Sequence, residues 1–297
     1  MRVLQRQRAD GIRLYTAVAQ RSSVQVIRRY STSFGLASRL LDGAVRRHIE
    51  SVYALVRVAD EVVDGAARGA GVPPDRQREL LDALEAETEQ AMGDGFSTNL
   101  VVHAFACTAR ETGIDTALTA PFFRSMRADL DAISFTETEL ADYIYGSAEV
   151  IGLMCLRIFL HGHTVDPVRL QNLERGARSL GAAFQKINFL RDLSADINQL
   201  GRHYFSNVDD FGITRARKRE LVAEIRSDLQ AAAVSIPLLP RSCRRAVGAA
   251  HALFTEVLER IERMPAEELM ITRVSVPAPV KLRLLAAALV ARARGGR

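Results

Sequence analysis

Apolar positions along the chain recur at helical spacing, and no strict apolar–polar alternation bounded by Asn-Gly or Asp-Gly turns interrupts them. The pattern predicts helices over Asp42 to Asp64, Asp75 to Met92, Asn99 to Thr112 and Thr119 to Leu130. Pro121 would fall in the first turn of the last of these, where its missing N–H costs nothing. Thr136, followed by Glu139, predicts a capping box opening a helix that runs to Leu160. Pro167 opens a long segment to Ile197, and helices over Thr214 to Val234, Pro240 to Arg263 and Pro277 to Ala293 follow. Gly69 to Pro74 reads as a loop, no linker rich in Gly, Ser and Pro divides the chain, and no long-period repeat is present. The expectation is all-α, one domain over residues 1–297.

Two of these helices carry charge where the pattern calls for burial. In the first, Tyr53, Arg57, Asp60 and Asp64 fall within roughly 60° of one another at 3.6 residues per turn. Val52, Leu55, Val56, Val58, Ala59, Val62 and Val63 surround that stripe, so the helix is apolar nearly all round and its stripe should face an interior cavity. In the second, Gln185, Asn188, Asp192 and Asp196 fall within roughly 80°, with Phe184, Ile187, Leu190, Leu193 and Ile197 on other faces. An isolated Asp-x-x-x-Asp on a helix is usually a solvated face or a salt-bridge network. Two copies on otherwise apolar helices argue for a site. Paired carboxylates in an apolar cavity need counter-charge. Arg57 and Arg191 supply some, and a hard divalent cation would supply more. Oxygen ligands of this kind suit magnesium, which reaches for phosphate oxygens, so facing stripes would hold magnesium over a diphosphate. Replacing one of the aspartates is expected to relieve like-charge repulsion and leave stability unchanged or raised.

At 297 residues and 48% hydrophobic, the chain can bury one large core. Of its 40 basic residues only Lys186, Lys218 and Lys281 are lysines, and the net charge of +5 suits an anionic partner without choosing among nucleic acid, membrane surface and phosphorylated small molecule. Cys107, Cys155 and Cys243 are too few and scattered for a disulfide framework or zinc site, which points to a reducing, cytoplasmic setting. Met1 to Arg21 has no apolar stretch resembling a signal peptide, and the apolar run Leu284 to Ala291 falls far short of the ~20 residues that span a bilayer. Nothing is expected to cross a membrane.

The ordered motifs resemble the phytoene and squalene synthases, the head-to-head (1'-1) prenyl transferases, over nearly the whole chain. Tyr30-Ser-Thr-Ser-Phe34 is similar to that family's N-terminal diphosphate-contacting segment, Tyr53 to Asp64 to its first aspartate motif and Gln185 to Asp196 to its second. Arg127-Ala-Asp129, Tyr143 to Gly152, Gly201-Arg202 with Tyr204, and Arg273-Val-Ser-Val-Pro277 with Lys281 match in order and spacing. The resemblance implies a helical isoprenoid-synthase bundle around a central cavity. It implies magnesium, with manganese as a substitute, on Asp60, Asp64, Asn188, Asp192 and Asp196. Ser31, Ser33, Phe34, Arg57, Gln185, Asn188, Arg191, Tyr204 and Arg273 would bind substrate, and Tyr53 and Tyr143 would border the reacting carbons. Closest in look are the bacterial phytoene synthases, which join two geranylgeranyl diphosphates through prephytoene diphosphate to phytoene. The alternatives are the same chemistry on farnesyl diphosphate, giving squalene or dehydrosqualene, and an inactive relative serving as an assembly or lipid-binding protein.

A carbocation needs a dry, aromatic-lined cavity, and Phe34, Phe184, Phe189 and Tyr145 stand near the motifs, although each alone reads as core packing. Ala148, Gly152, Gly181 and Ala182 are small enough to line the tunnel of a longer prenyl chain, or else are helix contacts. Glu149-Val150 stands where the family has a small residue and Thr, and Phe205-Ser206 where it tends to have Leu-Pro. His161-Gly-His163 reads as a solvated turn and Arg215 to Arg219 as an exposed helix start. Without a nucleic-acid motif no nucleic-acid partner is expected. Without a Gly-x-Gly-x-x-Gly unit on a strand no NAD(P)H is expected. Arg283 to Arg297 reads equally as a solvated tail or as a peripheral contact with the inner membrane surface.

Overall fold

A computed structural model describes residues 2–131, 134–197, 201–205, 208–209 and 212–290, with the side chains of 2–9, 32–34, 209, 289 and 290 outside that description. Helices dominate it. A two-stranded antiparallel ribbon, Val208–Asp209 with Gly212–Ile213, is the one sheet among the described residues. Two compact units divide the chain, residues 1–130 and 131–297.

The first unit contains α1 (Arg2–Tyr30), α2 (Thr32–Ser38), α3 (Gly43–Val63), α4 (Ala66–Gly69), α5 (Pro74–Asp94), α6 (Leu100–Thr112) and α7 (Thr116–Asp131). Helix α3 is the hub, packing on α1, α5 and α6 with Val52, Leu55, Ala59 and Val63 buried. Helix α1 has no counterpart in the sequence expectation. Its buried stripe is Ala19, Ser23 and Ile27, and a small residue and a serine do not register as an apolar periodicity. Tyr15 ties it down by donating to the Ser97 carbonyl at 3.0 Å. Helix α7 begins three residues earlier than expected, because the Asp115 carboxylate accepts the Ala117 N–H at 3.0 Å and caps it there. Pro121 consequently lies inside the helix rather than in its first turn.

The second unit contains α8 (Glu137–Ile144), α9 (Val150–Leu160), α10 (Pro167–Ala195), α11 (Arg215–Ser235), α12 (Arg241–Arg263) and α13 (Ala278–Val290). The capping box is present, with Thr136 N–H donating to Glu139 Oε2 at 2.8 Å and Glu139 N–H to Thr136 Oγ1 at 3.3 Å. A π-helical turn, Tyr145–Glu149, joins α8 to α9. The continuous helix Glu137–Leu160 is long and apolar enough to cross a bilayer by length and composition, contrary to the sequence expectation. Part of that apolarity is spent on packing: Val150, Met154, Leu156 and Ile158 are buried, and α9 lies along α10.

The α9–α10 approach decides what the small residues do. A Cβ on Gly152 would stand 2.4 Å from the Ala177 carbonyl oxygen, and one on Gly181 2.5 Å from that of Ala148. Both glycines are therefore helix-packing contacts, and a carbonyl, unlike a side chain, cannot rotate away. Gly152→Ala should lower stability by about 1–3 kcal/mol, read as a fall in melting temperature. An unshifted melt would show that the two helices can part at little cost. Gly152 cannot report on prenyl chain length, since any larger residue acts first on the fold. Ala148 and Ala182 are also buried.

Candidate active site

In the first unit, α3 carries the Tyr53, Arg57, Asp60 and Asp64 stripe, and these side chains are half-buried. Arg57 Nη1 stands 2.8 Å from Asp60 Oδ2, and Arg57 also pairs with Glu61 one turn on. Burial opposes the charge on Arg57, but Asp60 and Glu61 outweigh it and hold the guanidinium more firmly protonated than usual. Its guanidinium carbon lies 4.4 Å from the centre of the Tyr30 ring. Burial pushes the Tyr53 phenol above its ordinary range, against the pull of Arg57 and a hydrogen bond with Ser31, so Tyr53 stays a hydrogen-bond donor. Glu61 also accepts the Ala66 N–H at 2.7 Å, bracing the turn after α3. From α5, Gln77 Nε2 donates to the Val62 carbonyl at 2.7 Å and so ties down the end of α3. The sequence reading missed Glu61 and Gln77; it placed Tyr30 in the N-terminal motif but not under the Arg57 guanidinium. Of the two missed residues only Glu61 was legible, as the i+4 partner of Arg57.

In the second unit, α10 carries Gln185, Asn188, Arg191, Asp192 and Asp196. Lys186 points the other way and pairs with Asp228, at 2.9 Å, and Glu224 of α11, which fixes the rotation of α10. Arg191 Nη2 stands 2.5 Å from Asp192 Oδ2, and Arg273 Nε donates to Asp192 Oδ1 at 2.6 Å. Burial pushes the Asp192 carboxyl up, but the two arginines outweigh it and hold it below the ordinary carboxylate value. Asp192 is therefore ionised, and its charge is compensated rather than repelled. Asn188 Oδ1 is buried and has no hydrogen-bond partner among the described residues.

Helix α3 ends within its acidic pair. Asp64 is the C-cap of α3, so Asp60 and Asp64 occupy that helix's last turn, with no basic residue in it. Beyond α10, by contrast, the chain runs on π-helically through 196–197, so Asp192 and Asp196 lie along the helix rather than at its end. A helix carries a partial negative charge at its C-terminus and favours cations there, so carboxylates at this end are misplaced unless a cation covers them. Among the described residues no three His, Cys, Asp or Glu side chains cluster closely enough to hold a metal by themselves. The donor chemistry nevertheless fits a hard cation: oxygen ligands only, a buried amide oxygen on α10 lacking a donor among the described residues, and the negative pole of α3.

An aromatic cluster lies beside Asn188 in sequence and in space. Phe189 stacks on Tyr204 at 3.9 Å between ring centres, and Tyr143 lies 5.6 Å from Tyr204. Phe135 and Phe205 extend it, 5.6 Å from Tyr204 and 5.7 Å from Phe189. Arg202 is buried behind it and donates to the Tyr204 hydroxyl at 3.3 Å. Of the aromatics the sequence singled out, Phe189 belongs to this cluster. Phe184 stacks instead on Phe254 of α12, at 3.7 Å, as core packing. Tyr145 lies under the Arg178 guanidinium at 5.3 Å. Arg178 Nε also donates to Glu149 at 2.6 Å, so the unusual carboxylate of the π-helical turn is neutralised locally. The side chains of Ser33 and Phe34 lie outside the described residues, as do Ser206 and the tail 291–297. His161 and His163 are exposed, as a solvated turn requires.

The helical architecture is that of the isoprenoid synthases. A crystal structure of a dehydrosqualene synthase matches with a TM-score of 0.78 at 22% identity, over 94% of this chain and 98% of that one. The squalene/phytoene synthase profile matches residues 27–280, and the chain belongs to that family of prenyl-transferring enzymes. A 15-cis-phytoene synthase of Paracoccus sp. is 33% identical over 62% of this chain and 58% of its own length. A 4,4'-diapophytoene synthase of Staphylococcus haemolyticus is 28% identical over 66% of each chain. A phytoene synthase of Mycobacterium bovis is 28% identical over 91% of this chain and 90% of its own.

Proposed function

We propose that the chain joins two geranylgeranyl diphosphates head to head, through prephytoene diphosphate, to phytoene, with release of two diphosphates and a proton. The observation that carries this reading is the pair of carboxylate stripes, one in the last turn of α3 and one on α10 beside Asn188 Oδ1, which is buried and unpaired among the described residues. Such groups call for a cation, and a cation of this kind calls for a phosphate. Asp60, Asp64, Asn188, Asp192 and Asp196 would hold magnesium, or manganese in its place. When bound, the metal neutralises the charge that develops on a departing diphosphate. Ser31, Ser33, Gln185, Arg57, Arg191 and Arg273 would hold diphosphate oxygens, and the protonated Tyr53 would donate to one. Tyr143 would border the reacting carbons, and with Phe189 and Tyr204 its aromatic cluster would stabilise an allylic cation while keeping water from it. No reduced nicotinamide is needed for this reaction.

Relatives named phytoene synthase support the C20 substrate. The relative named diapophytoene synthase, equal in identity to the Mycobacterium one, favours a second reading in which two farnesyl diphosphates are joined. An inactive relative is disfavoured by the presence of all four aspartates, Asp60, Asp64, Asp192 and Asp196. Incubation with each diphosphate and magnesium, followed by analysis of extractable hydrocarbon, separates these readings. Phytoene from the C20 substrate at the higher kcat/KM is the expected result. A preference for farnesyl diphosphate would replace the first reading by the second, and no hydrocarbon from either would sink both.

A further inference from the structure

A groove of about 680 Å³ opens along α11 and the end of α12 and shares no residue with the carboxylate motifs. Its apolar lining includes Val222, Met264, Pro265 and Ala266. Arg215, Lys218, Arg219, Arg226 and Arg263 supply its positive charge, against a single lining carboxylate, Glu262. Two of these bases are committed to the fold. Lys218, 7% exposed, donates through Nζ to the Glu262 carbonyl at 3.0 Å and to that of Met264, capping the end of α12. Arg226 pairs with Glu262 at 2.6 Å and cancels its charge.

Arg215, Arg219 and Arg263 remain on the rim. Arg263 pairs with Glu259 at 2.7 Å, and Arg215 stands 3.5 Å from Glu267, both in positions open to solvent where an ion pair contributes little. Arg219 makes no ion pair among the described residues. The placing of this charge is itself unfavourable. Arg215, Arg217, Lys218 and Arg219 all fall at the start of α11, with no acidic residue in its first turn, where the helix dipole is positive. An ordinary solvated helix start would carry acids here. A helix start so charged, lining an apolar groove, is complementary to an anion with apolar matter behind it.

We propose that this groove seats the phosphate headgroup of an anionic membrane lipid, so that α11 and the end of α12 lie on the bilayer surface. The groove is partly open to solvent, which suits a headgroup in a bilayer. Beyond Ala266 and the single turn Glu267–Met270, Ile271 is 81% exposed, an apolar side chain without a protein surface to cover it. Basic rim and exposed isoleucine are the pair of features an interfacial contact uses: charge for the headgroups, an apolar side chain for the acyl boundary. The contact belongs to the body of the second unit, not to the arginine-rich tail. It goes beyond the prenyl coupling proposed above and is measured without turnover, so either can fail alone.

The test is co-sedimentation of the full chain with vesicles of phosphatidylcholine, or of equal parts phosphatidylcholine and phosphatidylglycerol, at ~0.1 M salt. The chain should sediment with the anionic vesicles and stay in solution with the neutral ones. Replacing both Arg215→Gln and Arg219→Gln should weaken anionic-vesicle binding about 30-fold, given the usual contribution of each basic residue at such a surface. Ile271→Ser should weaken it further. All three side chains are exposed, so the melting temperature should not move. Replacing Arg292, Arg294 and Arg297 with Gln should leave the effect of the groove substitutions intact. Wild-type sedimentation by the Arg215→Gln, Arg219→Gln protein would overturn the proposal, as would loss of binding confined to the tail variant. A third arm measures soluble farnesyl diphosphate without vesicles. Weakening there, with vesicle binding unchanged, would assign the groove to a soluble amphiphile and remove the lipid.

Discussion

Asp192→Asn is expected to lower prenyl coupling by at least ~100-fold, because it removes a charged ligand and a fixed charge from a largely buried position. Its effect on stability should be opposite to the one suggested by a buried like-charge cluster. Asp192 is flanked by Arg191 at 2.5 Å and Arg273 at 2.6 Å, so removing its charge strands two guanidinium groups instead of relieving repulsion. Arg273 is well exposed and water takes up part of the loss, so the cost should be about 1 kcal/mol. The pH dependence follows the same pairing. The carboxyl is held below its ordinary value of 3.8, so its contribution to stability is present above that value and disappears as pH falls through the folded-state pKa. The D192N chain should lack this part of the acid sensitivity. Melting temperatures of both chains from neutral pH to below pH ~4 would measure it. Near-normal turnover in D192N would remove Asp192 from the site.

Withdrawing divalent metal should abolish hydrocarbon formation altogether, and magnesium should restore it, with manganese as a substitute. The charge of the carboxylate pairs repels a diphosphate, and at the end of α3 the helix dipole adds to that repulsion. Arg57 and the two arginines on Asp192 offset part of that field but are already engaged by carboxylates. A diphosphate should therefore bind weakly to metal-free protein, and a chelator should raise its Kd as well as stop turnover. Equilibrium binding of inorganic diphosphate with and without magnesium tests the first effect, and a hydrocarbon assay the second. Full turnover after exhaustive chelation would remove metal from the proposed reaction.

Asn188 shows how far the sequence reached. Its place on one face with Asp192 and Asp196 follows from counting at 3.6 residues per turn, and so does the face of Tyr53, Arg57, Asp60 and Asp64. That its amide oxygen is buried and unpaired among the described residues does not, since that depends on what fails to approach it.

Local rules determined what neighbouring residues settle among themselves: the all-helical class, the Thr136–Glu139 capping box, the start of α11 at Thr214, and the two acidic stripes. Those features rest on interactions spanning at most a few turns, and the residues taking part are adjacent in the sequence. Tertiary structure decided the rest. Helix α1 exists because Ala19, Ser23 and Ile27 find α3 and α6, contacts that its own composition does not announce. Gly152 and Gly181 are packing residues because two helix backbones approach within the reach of a Cβ. Asp192 is stabilised rather than strained because Arg273, distant in sequence, reaches it. A partner far along the chain leaves no mark on local spacing, so a charge reads as repulsive or compensated only when the chain has closed around it.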